Sequence, residues 1–288
     1  MIYGDKTTGV IVQGATGNQG AFHISLMNEY ARSVGGRGVV AGVTPGKGGQ
    51  SVHGVPVYDS VREAAENHDF ATSVLFVPGF AAGDSIMEAA SAGLELVVAI
   101  TEGIPVHDTM KALAFAKMEG CCVIGPNCPG TLSPGELKLG IMPPQLAMPG
   151  HVGVISRSGT LTYEVVNELT RAGIGQSTIV GIGGDPIVGQ TFIDVLERFE
   201  QDPQTKAVVL IGEVGGNLEE EGAAATSLPI VGYVAGISAP PEKRMGHAGA
   251  IIEGGEGDAR SKIARLRSMG VPVAGKPSEI PALIRELL

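Results

Sequence analysis

Along the chain, short runs that are apolar at every position alternate with stretches in which apolar side chains return every three or four residues. "TGVIVQG" leads into "AFHISLMNEYARS", "GVVAGV" into "DSVREAAENH", "ATSVLFVP" into "DSIMEAASAG" and "LELVVAIT" into "DTMKALAFAKMEG", before "CCVIG" closes the series. Continuous apolar runs bounded by glycine and proline predict strands buried on both faces, hence a parallel sheet with helices on either side. The segment 129–150, "PGTLSPGELKLGIMPPQLAMPG", scatters proline and glycine without periodicity and reads as a connector. It separates a first domain, residues 1–128, from a second, residues 151–288. There the alternation resumes with "HVGVIS", "GTLTYEVVNELTRAG", "STIVGIGG", "TFIDVLERFEQD", "KAVVLIG" and "PIVGYVAG". It ends with "ARSKIARLRSMG", "VPVAGK" and "PSEIPALIRELL", which predicts another α/β domain, built like a flavodoxin.

Composition narrows this picture. The chain has 288 residues, and its 44 glycines are about twice the usual share, which implies many tight turns and close backbone approaches. A net charge of -10 argues against a broad nucleic-acid surface but leaves room for a local cationic pocket that holds phosphates. Cys121, Cys122 and Cys128 form neither a disulfide framework nor a metal-ligand pattern, and no signal peptide precedes the first strand-like run. A cytoplasmic, reducing location is therefore expected. No apolar run is long enough to span a membrane.

Candidate chemistry gathers at strand ends. In "VIVQGATGNQGAFH" the strand runs into Gly14, Gly17 and Gly20 and then a helix, so that helix-terminal amides can face a phosphate. The spacing departs from the dinucleotide fingerprint, and the second strand ends without a carboxylate for a ribose diol. "TPGKGG" supplies Lys47 there instead, which suits a phosphate-bearing ribose or a pyrophosphate. A structural glycine turn is the competing account. "FVPGF" and "ITEG" end neighbouring strands and could line a ligand slot or simply pack there, while Cys128 in "IGPNCPG" lacks a nearby histidine base and reads as structural.

In the second domain, "SRSGTLTYE" brings Ser156, Arg157, Ser158, Gly159 and Thr160 to a helix start, where hydroxyls, amides and the helix dipole favour an anion. A plain N-cap accounts for the same residues equally well. "IGEVGG" puts Glu213 at the end of a later strand. "KRMGHAGAII" sets His247 among glycines behind Lys243 and Arg244, an accessible imidazole with cations able to offset phosphoryl charge. A histidine whose tautomer is fixed by a carboxylate is an effective nucleophile, and Glu213 is the candidate for that role. A hydrogen-bonded surface histidine is the blander account. The histidines show no metal-ligand spacing, so no metal is assigned to this chain, and Gly-x-Ser-x-Gly is absent.

Taken in order, "QGATGNQG", "TPGKGG", "ITEGIP", "IGPNCPG", "SRSGTLTYE", "GIGGDP", "GEVGG" and "KRMGHAGAI" closely resemble the alpha subunits of succinate-CoA ligase, the succinyl-CoA synthetases, over nearly the full length. The resemblance implies a Rossmann-like domain that binds coenzyme A followed by a flavodoxin-like ligase domain. It further implies that Thr16, Gly17, Asn18 and Gln19, with Lys47 and the backbone of Ile100, Thr101 and Glu102, hold coenzyme A. His247 would be transiently phosphorylated and oriented by Glu213. Ser158, Gly159 and Thr160 would hold its phosphate, and Tyr163 would sit at a substrate position. The implied partner is a beta subunit, in a heterodimer or heterotetramer, that binds ATP or GTP with magnesium; the reactants are succinate, coenzyme A and phosphate. The alpha subunits of malate-CoA ligase share much of the pattern and are the alternative. Two departures stand out: the segment "AAATSL" before Pro229 is shorter than the family's, and "VPGFAAGDS" differs from the commoner loop.

Overall fold

The structure is a computed structural model and describes residues 1–237, 247–250 and 257–288. The chain divides into two compact units, Tyr3–Met142 on one hand and Pro143–Leu288 with Met1–Ile2 on the other.

The first unit contains β1 (Val10–Gln13), α1 (Asn18–Val34), β2 (Val39–Val43), β3 (Ser51–Val52), β4 (Val55–Tyr58), α2 (Val61–Asn67) and β5 (Thr72–Leu75). It continues with α3 (Gly79–Ser91), β6 (Leu96–Ala99), α4 (Val106–Met118), β7 (Cys122–Ile124), β8 (Gly130–Ser133) and β9 (Leu137–Gly140). Its sheet runs β3-β4-β2-β1-β5-β6-β7, parallel except for the short β3–β4 hairpin. Numbered along the chain, the six parallel strands give the Rossmann order 3-2-1-4-5-6, whose direction of winding reverses between β1 and β5. All four positions of β1, β5 and β6 are buried, as continuous apolar strands in a doubly covered sheet require. Ile11, Leu75 and Val97 from the sheet meet Ile86 of α3 and Ala112 of α4 in one core.

The stretch 129–150, whose proline and glycine content suggests a connector, holds the antiparallel hairpin β8–β9. That hairpin is fastened to α1, because the Tyr30 hydroxyl accepts from the Gly135 amide at 2.7 Å and donates to the Ser133 carbonyl at 3.4 Å. Sequence periodicity does not reveal it, since two four-residue strands around a Pro-Gly turn offer too few positions to establish alternation.

The second unit comprises β10 (Pro149–Ser156), α5 (Gly159–Arg171), β11 (Gln176–Gly181), α6 (Phe192–Gln201), β12 (Ala207–Gly212), α7 (Leu218–Ala224), β13 (Ile230–Val234), α8 (Ala259–Ser268), β14 (Val273–Ala274) and α9 (Ile280–Arg285). Its parallel strands lie in the order β14-β13-β12-β10-β11. Along the chain this is the flavodoxin-like 2-1-3-4-5, with the reversal between β10 and β12. Helix α6 shows how the local sequence fixes an element. Thr191 and Asp194 form a reciprocal capping box, and Phe192, Val195, Leu196 and Phe199 recur on one buried face. A side chain at Gly153 would stand 2.9 Å from the Phe199 ring, so β10 offers bare backbone on which that ring lies. The two fully buried phenylalanines each represent about 3–5 kcal/mol if truncated to alanine. Helix α7 spans only seven residues.

Candidate functional site

In a doubly wound sheet, loops at the carboxyl ends of the strands flanking the reversal splay apart and leave a crevice. In the second unit those loops carry Arg157 and Ser158 after β10 and Glu213 after β12. His247 is brought to the same place. Its Nδ1 lies 2.9 Å from Oε2 and 3.1 Å from Oε1 of Glu213. The imidazole is 28% exposed and the carboxylate 10%, so the pair is mostly shielded while the ring stays within reach of solvent. The hydrogen bond that the ring donates to Glu213 is the main influence that raises the histidine's pKa, and the carboxylate's charge and that of Asp185 add to it; burial and the Arg157 guanidinium act in the opposite direction.

The glycines around this histidine make room for it. A Cβ on Gly184, in the loop after β11, would fall 2.2 Å from Cγ of His247 and 2.3 Å from Nδ1. One on Gly249 would fall 2.8 Å from Arg157 Nη2. The Gly249 amide donates to the Gly184 carbonyl at 3.1 Å and so pins the histidine turn to the loop below. The cations Lys243 and Arg244 lie outside the described residues.

Ser158 is the N-cap of α5, its hydroxyl accepting from the Leu161 amide at 3.4 Å. Ser156 is buried and its hydroxyl donates to the Ser158 carbonyl, so these hydroxyls serve the local backbone. Thr160 is exposed and Gly159 half-buried at the positive end of the helix. Tyr163 follows on the same helix, partly exposed. Arg157 turns inward: it is buried, donates to the Gly215 carbonyl at 3.0 Å and lies 3.4 Å from both Glu213 and Glu219. Glu219 in turn is paired with Lys262, and both are fully buried. Sequence reading singles out the "GIGGDP" turn that holds Gly184 but misses Glu219 and Lys262. These two sit in helices with ordinary polar patterns, and only their complete burial marks them.

In the first unit, β1 ends in a turn in which Gly14 has a φ of 82° and the Gly17 amide donates to the Gly14 carbonyl. A Cβ on Gly20 would stand 2.2 Å from that carbonyl, so the first turn of α1 packs against the loop as only glycine allows. Gly17 caps α1 without a side-chain bond, and Gly17, Asn18 and Gln19 are exposed. The helix start is therefore open to an anion. Thr16 donates its amide to the Thr44 hydroxyl at 3.3 Å, which links this turn to the loop after β2, where Lys47 is exposed. Thr101 is buried and its hydroxyl donates to the Val77 carbonyl, while Glu102 is exposed and Ile100 half-buried. These residues occupy loops after β1, β2 and β6 on one edge of the sheet, around the reversal between β1 and β5. Cys128 donates from Sγ to the Ala99 carbonyl at 3.2 Å and is buried, as a structural residue would be. No helix among the described residues is long and apolar enough to cross a membrane.

Comparison with known proteins shows the family. Residues 5–103 match the family described as CoA binding domain, and residues 155–271 match that described as CoA-ligase. A coenzyme A-binding domain joined to a coenzyme A ligase domain defines the class of acid-thiol ligases. The chain is 56% identical to succinate-CoA ligase [ADP-forming] subunit alpha 2 of Archaeoglobus fulgidus, over 99% of this chain and 98% of that one. It is 53% identical to the succinate-CoA ligase [ADP-forming] subunit alpha of Staphylococcus aureus, over 99% and 94%. Among solved structures it matches ATP citrate lyase from Methanothrix soehngenii, in complex with citrate and coenzyme A, with a TM-score of 0.89 at 25% identity. That match covers 99% of this chain and 50% of the lyase chain. The chain belongs to the succinate-CoA ligase alpha-subunit family.

Proposed function

We propose that this chain is the alpha subunit of a nucleoside-triphosphate-dependent succinate-CoA ligase, which reversibly couples succinyl-CoA cleavage to ATP or GTP formation through a phosphorylated His247. The observation that carries this reading is the pairing of Nδ1 of His247 with both carboxylate oxygens of Glu213 at the strand-order reversal of the second domain. A carboxylate there accepts a hydrogen bond from Nδ1–H and so leaves the lone pair on Nε2. Nε2 then attacks the terminal phosphorus of the nucleotide; the N–P bond forms as the P–O bond to the nucleoside diphosphate breaks. Positive charge left on the ring is balanced by Glu213. The start of α5, with Ser158 as cap and Gly159 and Thr160 in its first turn, favours the charge of the transferred group. Transfer onward to a succinate oxygen breaks the N–P bond, forms an acyl phosphate and returns His247 to its neutral form.

Coenzyme A supplies the thiol that displaces phosphate from the acyl phosphate. The first domain fits such a ligand. The open start of α1 at Gly17, Asn18 and Gln19, beside Thr16, would receive its phosphates, and the exposed Lys47 would neutralise them. Ile100, Thr101 and Glu102 would border its body. We assign residues 1–128 to this domain and 151–288 to the ligase domain. The nucleotide, with magnesium, belongs to a beta subunit in a heteromeric assembly, and Tyr163 stands at the carboxylate substrate. The three free cysteines suit the cytoplasm.

The test is to co-purify both subunits, add magnesium with radiolabelled ATP or GTP, and assay His247 for acid-labile phosphate that discharges on adding succinate and coenzyme A. Discharge by malate and not by succinate would transfer the assignment to a malate-CoA ligase. Absence of label on His247 in a verified complex would refute both.

A further inference from the structure

Behind His247 lies a line of charged side chains that the reaction described above does not use. Lys262 on α8 is fully buried, with Nζ paired to Oε2 of Glu219 and donating to the Gly215 carbonyl at 2.8 Å. Glu219 on α7 is also fully buried; its Oε1 accepts from the Glu213 amide at 3.1 Å and lies 3.4 Å from Arg157 Nη1. Arg157 holds the same Gly215 carbonyl through Nη1, and presents Nη2 to Oε1 of Glu213 at 3.4 Å. Glu213 then reaches His247. A Cβ on Gly212 would fall 2.3 Å from Cγ of Glu219, so the strand end is kept bare for this side chain.

Burying an ion pair stabilises a fold little, because the desolvation of both partners offsets their attraction; an apolar pair of similar volume serves as well. The arrangement is better explained by where it leads. We propose that the Lys262–Glu219 pair is a positioning device for His247: it fixes Arg157, and through Arg157 it sets how much of the Glu213 carboxylate is left to the imidazole. Arg157 and Lys262 carry two positive charges against two negative ones on Glu213 and Glu219. With Lys262 absorbing half of Glu219, the second edge of Arg157 is free to share Glu213. Among the described residues, the charged groups that act on His247 are Glu213, Arg157 and Asp185, and Glu220 is the further carboxylate that acts on Lys262.

This inference rests on the proposal that His247 is phosphorylated, and its test separates the two. The full chain, labelled at histidine and assembled with its beta subunit, is titrated by NMR; the His247 signal is assigned by its loss in His247→Asn. Glu219→Gln leaves two cations facing the site and moves the imidazole midpoint to lower pH. Lys262→Met gives Arg157 wholly to Glu219, leaves Glu213 to the imidazole, and moves the midpoint to higher pH. Single-turnover phosphorylation slows by about tenfold to a hundredfold in both, the size expected when a reacting group is displaced by about 1 Å. Glu219→Asp keeps the buried charge for Lys262 but withdraws it from Arg157. It serves if Lys262→Met fails to fold, and it shifts the midpoint in the same direction as Gln, by less. A merely structural pair would lower thermal stability and leave every midpoint in place, and that result overturns the proposal. The NMR midpoints need no turnover, so unlabelled His247 in the wild-type complex would refute the phosphohistidine reading while leaving the positioning test intact.

Discussion

Substituting Gly184 by alanine adds a single methyl group, and its consequences can be worked from the coordinates. Gly184 is not among the glycines with positive φ, so alanine adopts its backbone without strain. Taken alone, the change would stabilise the chain by about 0.4–1 kcal/mol by restricting the unfolded state. The new Cβ, however, would stand 2.2 Å from Cγ of His247, 2.3 Å from Nδ1 and 2.7 Å from Cδ2. Ordinary contact begins near 3.4 Å, so the ring must retreat by about 1.2 Å, and with it an Nδ1 that now lies 2.9 Å from Glu213. A retreat of that size breaks the hydrogen bond that fixes the tautomer and moves Nε2 off its line of attack. About a hundredfold loss in the rate of His247 phosphorylation is expected. The assay is rapid-quench phosphorylation of the assembled complex, with coenzyme A affinity and thermal midpoint measured alongside; both should stay near wild type. Phosphorylation of Gly184→Ala at the wild-type rate would refute the reasoning.

Three further outcomes follow from the same coordinates. In Glu213→Gln the imidazole loses the partner that raises its pKa, and its midpoint in an NMR titration falls. Since a raised histidine pKa stabilises the fold fully below the unfolded value of about 6.5 and ceases to do so as pH rises through the folded value, the variant should lose most stability in mildly acidic buffer and least in alkaline buffer. His23 is buried and stacked on Phe76 at 5.1 Å; burial, with a smaller push from Lys138, depresses its pKa to about 4. Its stabilising effect is complete above about pH 6.5 and is lost as pH falls toward 4, a swing of up to about 3 kcal/mol, so His23→Phe should flatten the dependence of the urea midpoint on pH in that window. Lys47→Glu should weaken coenzyme A binding at least tenfold in calorimetry, and raised salt should narrow the gap to wild type.

Much of the molecule was legible before folding. The α/β alternation, the split into two domains and the glycine turns at strand ends follow from patterns of a few adjacent residues, because strand burial and helix amphipathicity are local periodicities. The pairing of Glu213 with His247 was also legible, though only as two residues in loops of suitable character. Lys138, buried and with its pKa lowered to about 8 by desolvation, was not, and neither was the hairpin that carries it.

The sequence by itself determined which elements form and which residue types stand at their ends, since backbone conformation and apolar periodicity are decided over short spans. Only the tertiary structure decided which strand ends meet. The order β14-β13-β12-β10-β11 puts β12 beside β10, and that adjacency brings Arg157 to Glu213 across 56 residues of chain and both to His247. It also buries Glu219 and Lys262 beneath the same site. Burial and charge pairing are properties of distant segments packed together, and no window along the chain contains them.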